Sequence, residues 1–401
     1  MERWVDLARA RELTADLVIE RKHESIPLTS AHGHVLAQDV IADRDDPHAD
    51  LSAMDGFAVI ASSTLLATPN KPVQLTVQDT IFAGTGGDIP ELSDGHAIRI
   101  MTGGRVPIGT TGIVLIEHTE LDEKGRLLVH HPGKDHIRRQ GEYHRFGETI
   151  LQKGHRINAA TIATLATVGL TEVRIFTPLR IGVLPTGDEL VEPAQPVAPG
   201  QIRESNSWAI TARLRALGHN AERLSPQSDH LDELRSRLDN LAQTYDLIIT
   251  SGGVSMGDAD FVRHLMLEEG ETLFWRIKMK PGSPPLAGRW KGTPIFGLPG
   301  NPVSSLVVLR VLVEPWLERC DFIEPQDRLI QVRLGTSLRP ADDRMLFTRL
   351  WIDWSQSPVI AHPSSHQGSG HTSSLPHADA LAWLEPGVKT DVGSTISALL
   401  L

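Results

Sequence analysis

The sequence predicts a multidomain α/β protein: a central parallel-sheet α/β domain, an N-terminal mixed or β module, and a C-terminal β-barrel. Three observations carry this reading. Five segments between Ile181 and Pro302 each pass from a short apolar run into a polar or glycine-rich turn, and most continue with helical spacing. From about 50 to 140, Gly and Pro break the chain into short alternating runs. Three more alternating runs follow residue 325. Strands alternating with helices imply a parallel sheet, whereas clustered short strands imply β modules.

Four domains are expected: 1–27 with 142–176, then 28–141, 177–325 and 326–401. Val5, Leu7, Ala8, Leu13, Leu17 and Val18 have helical spacing over residues 4–21, followed by an extended stretch through Val35 and Val40. Strands are expected at Val73–Val77, Ala97–Met101 and Gly112–Ile116, and a helix from an Asn158 cap to Gly169. In the α/β region a helix is expected from Asp229, with Leu234, Leu238 and Leu241 in the core and Asp232 near its positive end. Asn301-Pro302 should open a second helix, apolar nearly all round through Val303, Leu306, Leu309, Val311 and Val313. Such a helix is buried in a core or against another subunit. The barrel runs are Leu329–Leu334, Met345–Ile352 and Ala380–Leu384.

Composition narrows the class. A net charge of −11 argues against a general nucleic-acid surface but leaves room for a local basic pocket. The single cysteine, Cys320, excludes an internal disulfide framework. No run approaches the roughly 18 apolar residues that span a bilayer, and the N-terminus lacks a signal-peptide core. A cytoplasmic protein without membrane or nucleic-acid partners is expected.

Parallel sheets bind ligands outside the carboxyl ends of their strands, and the polar chemistry of the α/β region lies at that edge. Its turns hold Asp188 and Glu189, then Ser251, Gly252, Gly253, Ser255, Asp258 and Asp260, then Pro299, Gly300 and Asn301. The glycine pair would let backbone N–H groups approach a phosphate. The carboxylates make electrostatic sense beside an anion if a hard cation such as Mg²⁺ neutralises both; their bland role is helix capping. Along Phe274–Lys280, period-2 alternation places Arg276, Lys278 and Lys280 on one face. Cations on a covered face need anions to meet. Lys280, at the strand end, is the foremost candidate and Lys278 the second. His130, His131, His136 and His144 lack fixed metal-site spacing and read as a solvated loop. Neither a Walker lysine motif nor Gly-x-Gly-x-x-Gly after a strand is present.

Six motifs in order carry a resemblance: Ser52-Ala-Met-Asp-Gly-Phe-Ala-Val, Arg99-Ile-Met-Thr-Gly, Thr186-Gly-Asp-Glu-Leu, Gln201-Ile-Arg-Glu-Ser-Asn, Thr250-Ser-Gly-Gly-Val-Ser-Met-Gly-Asp-Ala-Asp and Gly297-Leu-Pro-Gly-Asn-Pro-Val-Ser. Together they resemble the molybdopterin molybdenumtransferase family, bacterial MoeA and the matching C-terminal domain of gephyrin. The resemblance covers nearly the whole chain, including Gln367-Gly-Ser-Gly. It implies an elongated homodimer of four-domain subunits with sites at the subunit interface. It implies insertion of molybdenum from molybdate into adenylylated molybdopterin with release of AMP, in molybdenum cofactor biosynthesis. Mg²⁺ or another divalent cation is the implied cofactor, and other cofactor-biosynthesis proteins are possible partners.

Carried over by motif, the implied catalytic residues are Asp55, Thr102, Glu189, Asp260 and Lys280. Glu189 and Asp260 are the metal candidates, with ligand and base left unassigned. Asp55 is expected to act from the partner subunit. Arg203, Ser205, Asn206, Asp229, Arg276 and Ser369 join the turn residues as substrate-binding candidates. The family usually has an acidic residue at Tyr143 and lysine at Ser283, and often lysine at Arg276. The alternatives are a gephyrin-like scaffold that binds without turnover, and a molybdopterin adenylyltransferase, which would lack the flanking modules.

Overall fold

The computed structural model describes residues 1–401 except Val18, Met256, Asp258, Ala259 and 340–342, so the expectations placed on Val18 and Asp258 lie outside the described residues. The chain divides into a larger unit (Met1–Ala37, Gly154–Asn158 and Val173–Leu401) and a smaller one (Gln38–Lys153 and Ala159–Glu172).

The larger unit is built on a seven-stranded sheet in the order Glu2–Val5, Glu271–Ile277, Leu286–Trp290, Thr293–Leu298, Leu247–Ser251, Arg180–Pro185, Asn220–Arg223. The last four run parallel, as the strand–helix alternation requires. Leu286–Trp290 is antiparallel to both neighbours and makes the sheet mixed. Both faces are covered. Ile181, Val183, Leu247, Ile249 and Phe296 pack against the helix Asn206–Ala216 and the helical stretch from Pro302 to Cys320. Leu184, Ile248 and Ile295 meet Leu234, Leu238 and Leu241 of Leu231–Thr244 and Val262 and Leu265 of Phe261–Glu268. The near-uniformly apolar helix after Asn301 therefore lies in the core of its own chain.

Two local expectations change. The segment 4–21 opens as an edge strand, Glu2–Val5, before the helix Leu7–Thr14, because its backbone completes the sheet beside Glu271–Ile277. The run Phe274–Lys280 is not one strand. Arg276 has φ +77°, which breaks the period-2 alternation and puts Phe274 and Ile277 in the same core. The chain then leaves the sheet, and Met279–Lys280 pairs with Met345 and Leu346 of the C-terminal barrel.

That barrel closes through Met345–Asp353, Ile360–Pro363, Leu329–Leu334, Thr395–Leu400 and Ala380–Leu384, the last returning to the first. In the smaller unit a six-stranded sheet includes Val73–Ile81, His96–Ile100 and Gly112–Leu115. A helix spans Ala159–Thr167, closed by Gly169 at φ +76°.

Candidate active site

A cleft of about 1570 Å³ in the larger unit is lined by the turns at the carboxyl ends of the parallel strands, by Lys280–Pro284 and by barrel residues including Arg344, Thr348 and Gln367–Gly370. It brings together Glu189, Arg203, Ser205, Asn206, Asp229, Ser251, Gly252, Gly253, Ser255, Asp260, Lys280, Pro299, Gly300, Asn301 and Ser369. Arg276 and Lys278 do not line it.

The floor is tied by polar side chains. Asn206 Nδ2 donates to Ser251 Oγ (2.8 Å) and to the Gly300 carbonyl (2.7 Å), joining two strand-end turns to the start of a helix. Asn301 stands at the cap position before Pro302 but makes no capping bond; its Nδ2 donates to Ser369 Oγ at 3.0 Å. That bond joins the α/β turn to the barrel loop. The Gly252 N–H is spent on the Leu298 carbonyl (3.0 Å) and is not available to cradle a phosphate. The requirement for glycine there is steric: a Cβ would lie 2.5 Å from the Thr186 carbonyl oxygen, at φ +102°.

Asp188, Glu189, Asp229 and Asp260 lie close enough for their charges to interact. Glu189 sits beside the ribbon that pairs Leu190–Val191 with Ile202–Arg203, which also carries Arg203. Its carboxylate folds over Gly187, where a Cβ would approach within 2.5 Å of it. Asp260 precedes the helix Phe261–Glu268 and accepts the Gly257 N–H at 2.5 Å. Asp229 lies two residues before Leu231–Thr244, and its N–H donates to Asp188 at 3.0 Å. Burial raises the Asp229 carboxyl above the ordinary range, and the charges of Asp188, Glu189 and Asp260 add to the rise. Among the described residues no three His, Cys, Asp or Glu side chains converge as a ready cage. The donor set is hard oxygen and suits a Mg²⁺ that takes one or two carboxylates and completes its shell with phosphate and water.

Cations line the same cleft at Arg203, Lys280, Arg339 and Arg344. The exposed Lys280 lies beside Ser283, whose hydroxyl donates to the Met279 carbonyl (2.6 Å) and accepts from Arg344 Nη1 (3.4 Å). Below the barrel loop, Arg349 is fully buried and donates to the His366 and Gly368 carbonyls at 2.8 and 3.2 Å. Its Nε and Nη1 have no partner, and burial pulls its pKa down. Sequence reasoning missed both arginines; the one available signal was a charge in the middle of an otherwise apolar barrel strand.

Three family models match nearly end to end: the MoeA N-terminal region (domain I and II) over residues 5–169, a probable molybdopterin binding domain over 182–319, and the MoeA C-terminal region (domain IV) over 331–401. Molybdopterin molybdenumtransferase 2 of Mycobacterium tuberculosis is 38% identical over 367 residues, 89% of this chain and 90% of that protein. The molybdopterin molybdenumtransferase of Staphylococcus aureus is 30% identical over 380 residues, 94% of this chain and 90% of that one. The chain belongs to the molybdopterin molybdenumtransferase family. A crystal structure of a molybdopterin biosynthesis MoeA protein from Pyrococcus horikoshii matches at a TM-score of 0.79 and 28% identity, covering 99% of both chains. Family matches on both flanks of the central domain favour this family over a lone adenylyltransferase domain.

The remaining residues carried over from the family lie in the smaller unit. Asp55 accepts the Thr102 N–H (2.6 Å) and hydroxyl (2.8 Å), and these bonds hold its carboxyl below the usual range. Tyr143, where the family usually has an acidic residue, is 56% exposed. His118 and His131 rings stand 4.3 Å apart, and His130 Nε2 lies 3.8 Å from Glu120.

Proposed function

We propose that this protein is a molybdopterin molybdenumtransferase enzyme, which inserts molybdenum from molybdate into adenylylated molybdopterin and releases AMP. The observation that carries the reading is one cleft lined both by carboxylates, at Glu189, Asp229 and Asp260, and by cations, at Arg203, Lys280 and Arg344. An anionic substrate that arrives with a divalent cation needs both. Lys280 holds oxyanion oxygens and stabilises charge that develops on them. Asn206, Asn301 and Ser369 fix the walls against which the substrate is oriented, through the bonds they make to Ser251, Gly300 and each other. Glu189 and Asp260 would hold Mg²⁺, whose contribution is to neutralise phosphate charge. Asp229, with its raised pKa, is suited to hold or accept a proton beside them.

The active form is proposed to be a cytoplasmic homodimer of four-domain subunits, split at 1–27 with 142–176, 28–141, 177–325 and 326–401, in which Asp55 acts from the partner. The single cysteine suits a reducing compartment. The deciding experiment incubates purified protein with adenylylated molybdopterin, Mg²⁺ and molybdate and measures AMP. Molybdate-dependent AMP release supports the reading; ligand binding without any AMP would replace it with a binding-only scaffold. Mixing inactive Asp55→Ala and Lys280→Ala subunits, with exchange shown independently, tests the dimer. Restored activity is expected, and failure to complement would place each site within one chain.

A further inference from the structure

Four arginines stack on the indoles of Trp4 and Trp275, Arg3 at 5.6 Å from Trp275, and three of them, Arg263, Arg276 and Arg344, cluster beside the cleft. The Arg276 guanidinium lies 4.6 Å from the Trp4 ring centre and 4.8 Å from that of Trp275. Arg263 lies 5.1 Å from the same Trp275 ring, and Arg344 5.6 Å from Trp4. Cation–π attraction accounts for the stacking but uses none of a guanidinium's five N–H donors. Elsewhere in the larger unit, Arg11, Arg21, Arg180, Arg213, Arg223 and Arg235 each meet a carboxylate at 3.0 Å or closer. Among the described residues, Arg263 and Arg276 meet none, and the Nε of each is buried without a partner. Among the described residues, the one carboxylate that Arg344 meets is its exposed sequence neighbour Asp343, at 3.1 Å. Burial, together with the charges of Arg263 and Arg344, pulls Arg276 below the usual arginine pKa.

The cluster opens on the cleft at two points. Arg344 and its partner Ser283 both line it. Arg263 Nη2 reaches the carbonyl of Gly257, another lining residue, at 3.4 Å. Several guanidiniums with free donors suit a multiply charged tetrahedral anion, because one protein carboxylate would leave excess positive charge.

We propose that Arg263, Arg276 and Arg344 form a phosphate-binding subsite that borders the cleft at Arg344 and at the Gly257 turn and takes the diphosphate of the adenylylated substrate. The identity of that substrate rests on the transferase reading; the anion site itself does not. The probe is inorganic pyrophosphate, titrated calorimetrically into the full-length protein in magnesium-free, low-salt buffer. Pyrophosphate should bind the parent, R263Q and R276Q should each weaken it at least about tenfold, and R276K should weaken it less. Circular dichroism checks folding, and if R276Q fails to fold, R263Q alone decides.

Two results would overturn the subsite: no pyrophosphate binding by the parent, which would leave the cluster to a protein carboxylate, or unchanged binding in the folded glutamine variants. Arginine-dependent pyrophosphate binding in a protein that never releases AMP would sustain the subsite while removing the transferase reading.

Discussion

The acids that line the cleft and the arginines that border it are positioned by different physics. Among the acids, Asp260 is held by the Gly257 N–H of its own turn and Glu189 lies against Gly187, while Asp188 accepts the Asp229 N–H from a second turn. Beside the cleft, guanidiniums are held by stacking on two indoles, Trp275 next to Arg276 in sequence and Trp4 from the far N-terminal strand. Local hydrogen bonding places like charges close together and leaves one carboxyl reluctant to ionise. Stacking tolerates like charges because the ring face offsets part of the repulsion while the donors stay available.

The contrast can be broken first at Lys280. Lys280→Ala should cut AMP release by about 10² or more while leaving the melting temperature nearly unchanged, because the side chain is exposed. Parental turnover would confine Lys280 to a structural role. Arg349→Met comes next. A fully buried guanidinium with two unpartnered nitrogens costs desolvation, so the variant should be as stable as the parent or more so. Its AMP release should nevertheless fall about tenfold, because the anchors on His366 and Gly368 are gone. A large loss of thermal stability would show that the buried charge holds the barrel together.

For the acids, Asp260→Asn and Glu189→Gln should each need about tenfold more Mg²⁺ for the same rate. Unchanged Mg²⁺ titrations in both would remove the cation assignment. Smaller effects follow from pH. The raised Asp229 pKa means that the folded state binds this proton more tightly than the unfolded state. Its stabilisation is complete below the ordinary carboxylate range and is lost as pH rises through the raised value. Asp229→Asn should accordingly melt roughly 1–3 °C higher at pH 7, a gain that shrinks towards pH 4. Asp55 has the opposite sign. Its depressed pKa gives stability present above the ordinary carboxylate value and lost as pH falls, so Asp55→Asn should melt lower at neutral pH and converge on the parent in acid. Matching pH profiles for the two variants would refute these signs. The smallest change is expected at Tyr143→Asp, because the phenol is exposed. A twofold or larger rise in transfer rate or Mg²⁺ dependence would show that a carboxylate there still has a cation to meet.

Element types and the strand-end turns were legible because each is decided within a few residues. Apolar runs ending in glycine and carboxylate turns mark parallel strands, and the clustering of Glu189, Asp229, Asp260 and Asn301 in one cleft follows from that rule. What only the tertiary structure decided depends on partners far apart in sequence. A positive φ at Arg276 ends the sheet strand and sends Met279–Lys280 into the barrel, so Lys280 reaches the cleft while Arg276 stacks outside it. Glu2–Val5 became a strand because Glu271–Ile277 offered a free edge. The Gly252 N–H, open to a ligand by sequence, is taken by Leu298 across the turn. Periodicity records which side chains must leave water. It does not record which distant backbone groups and rings will satisfy the polar atoms those side chains bring with them.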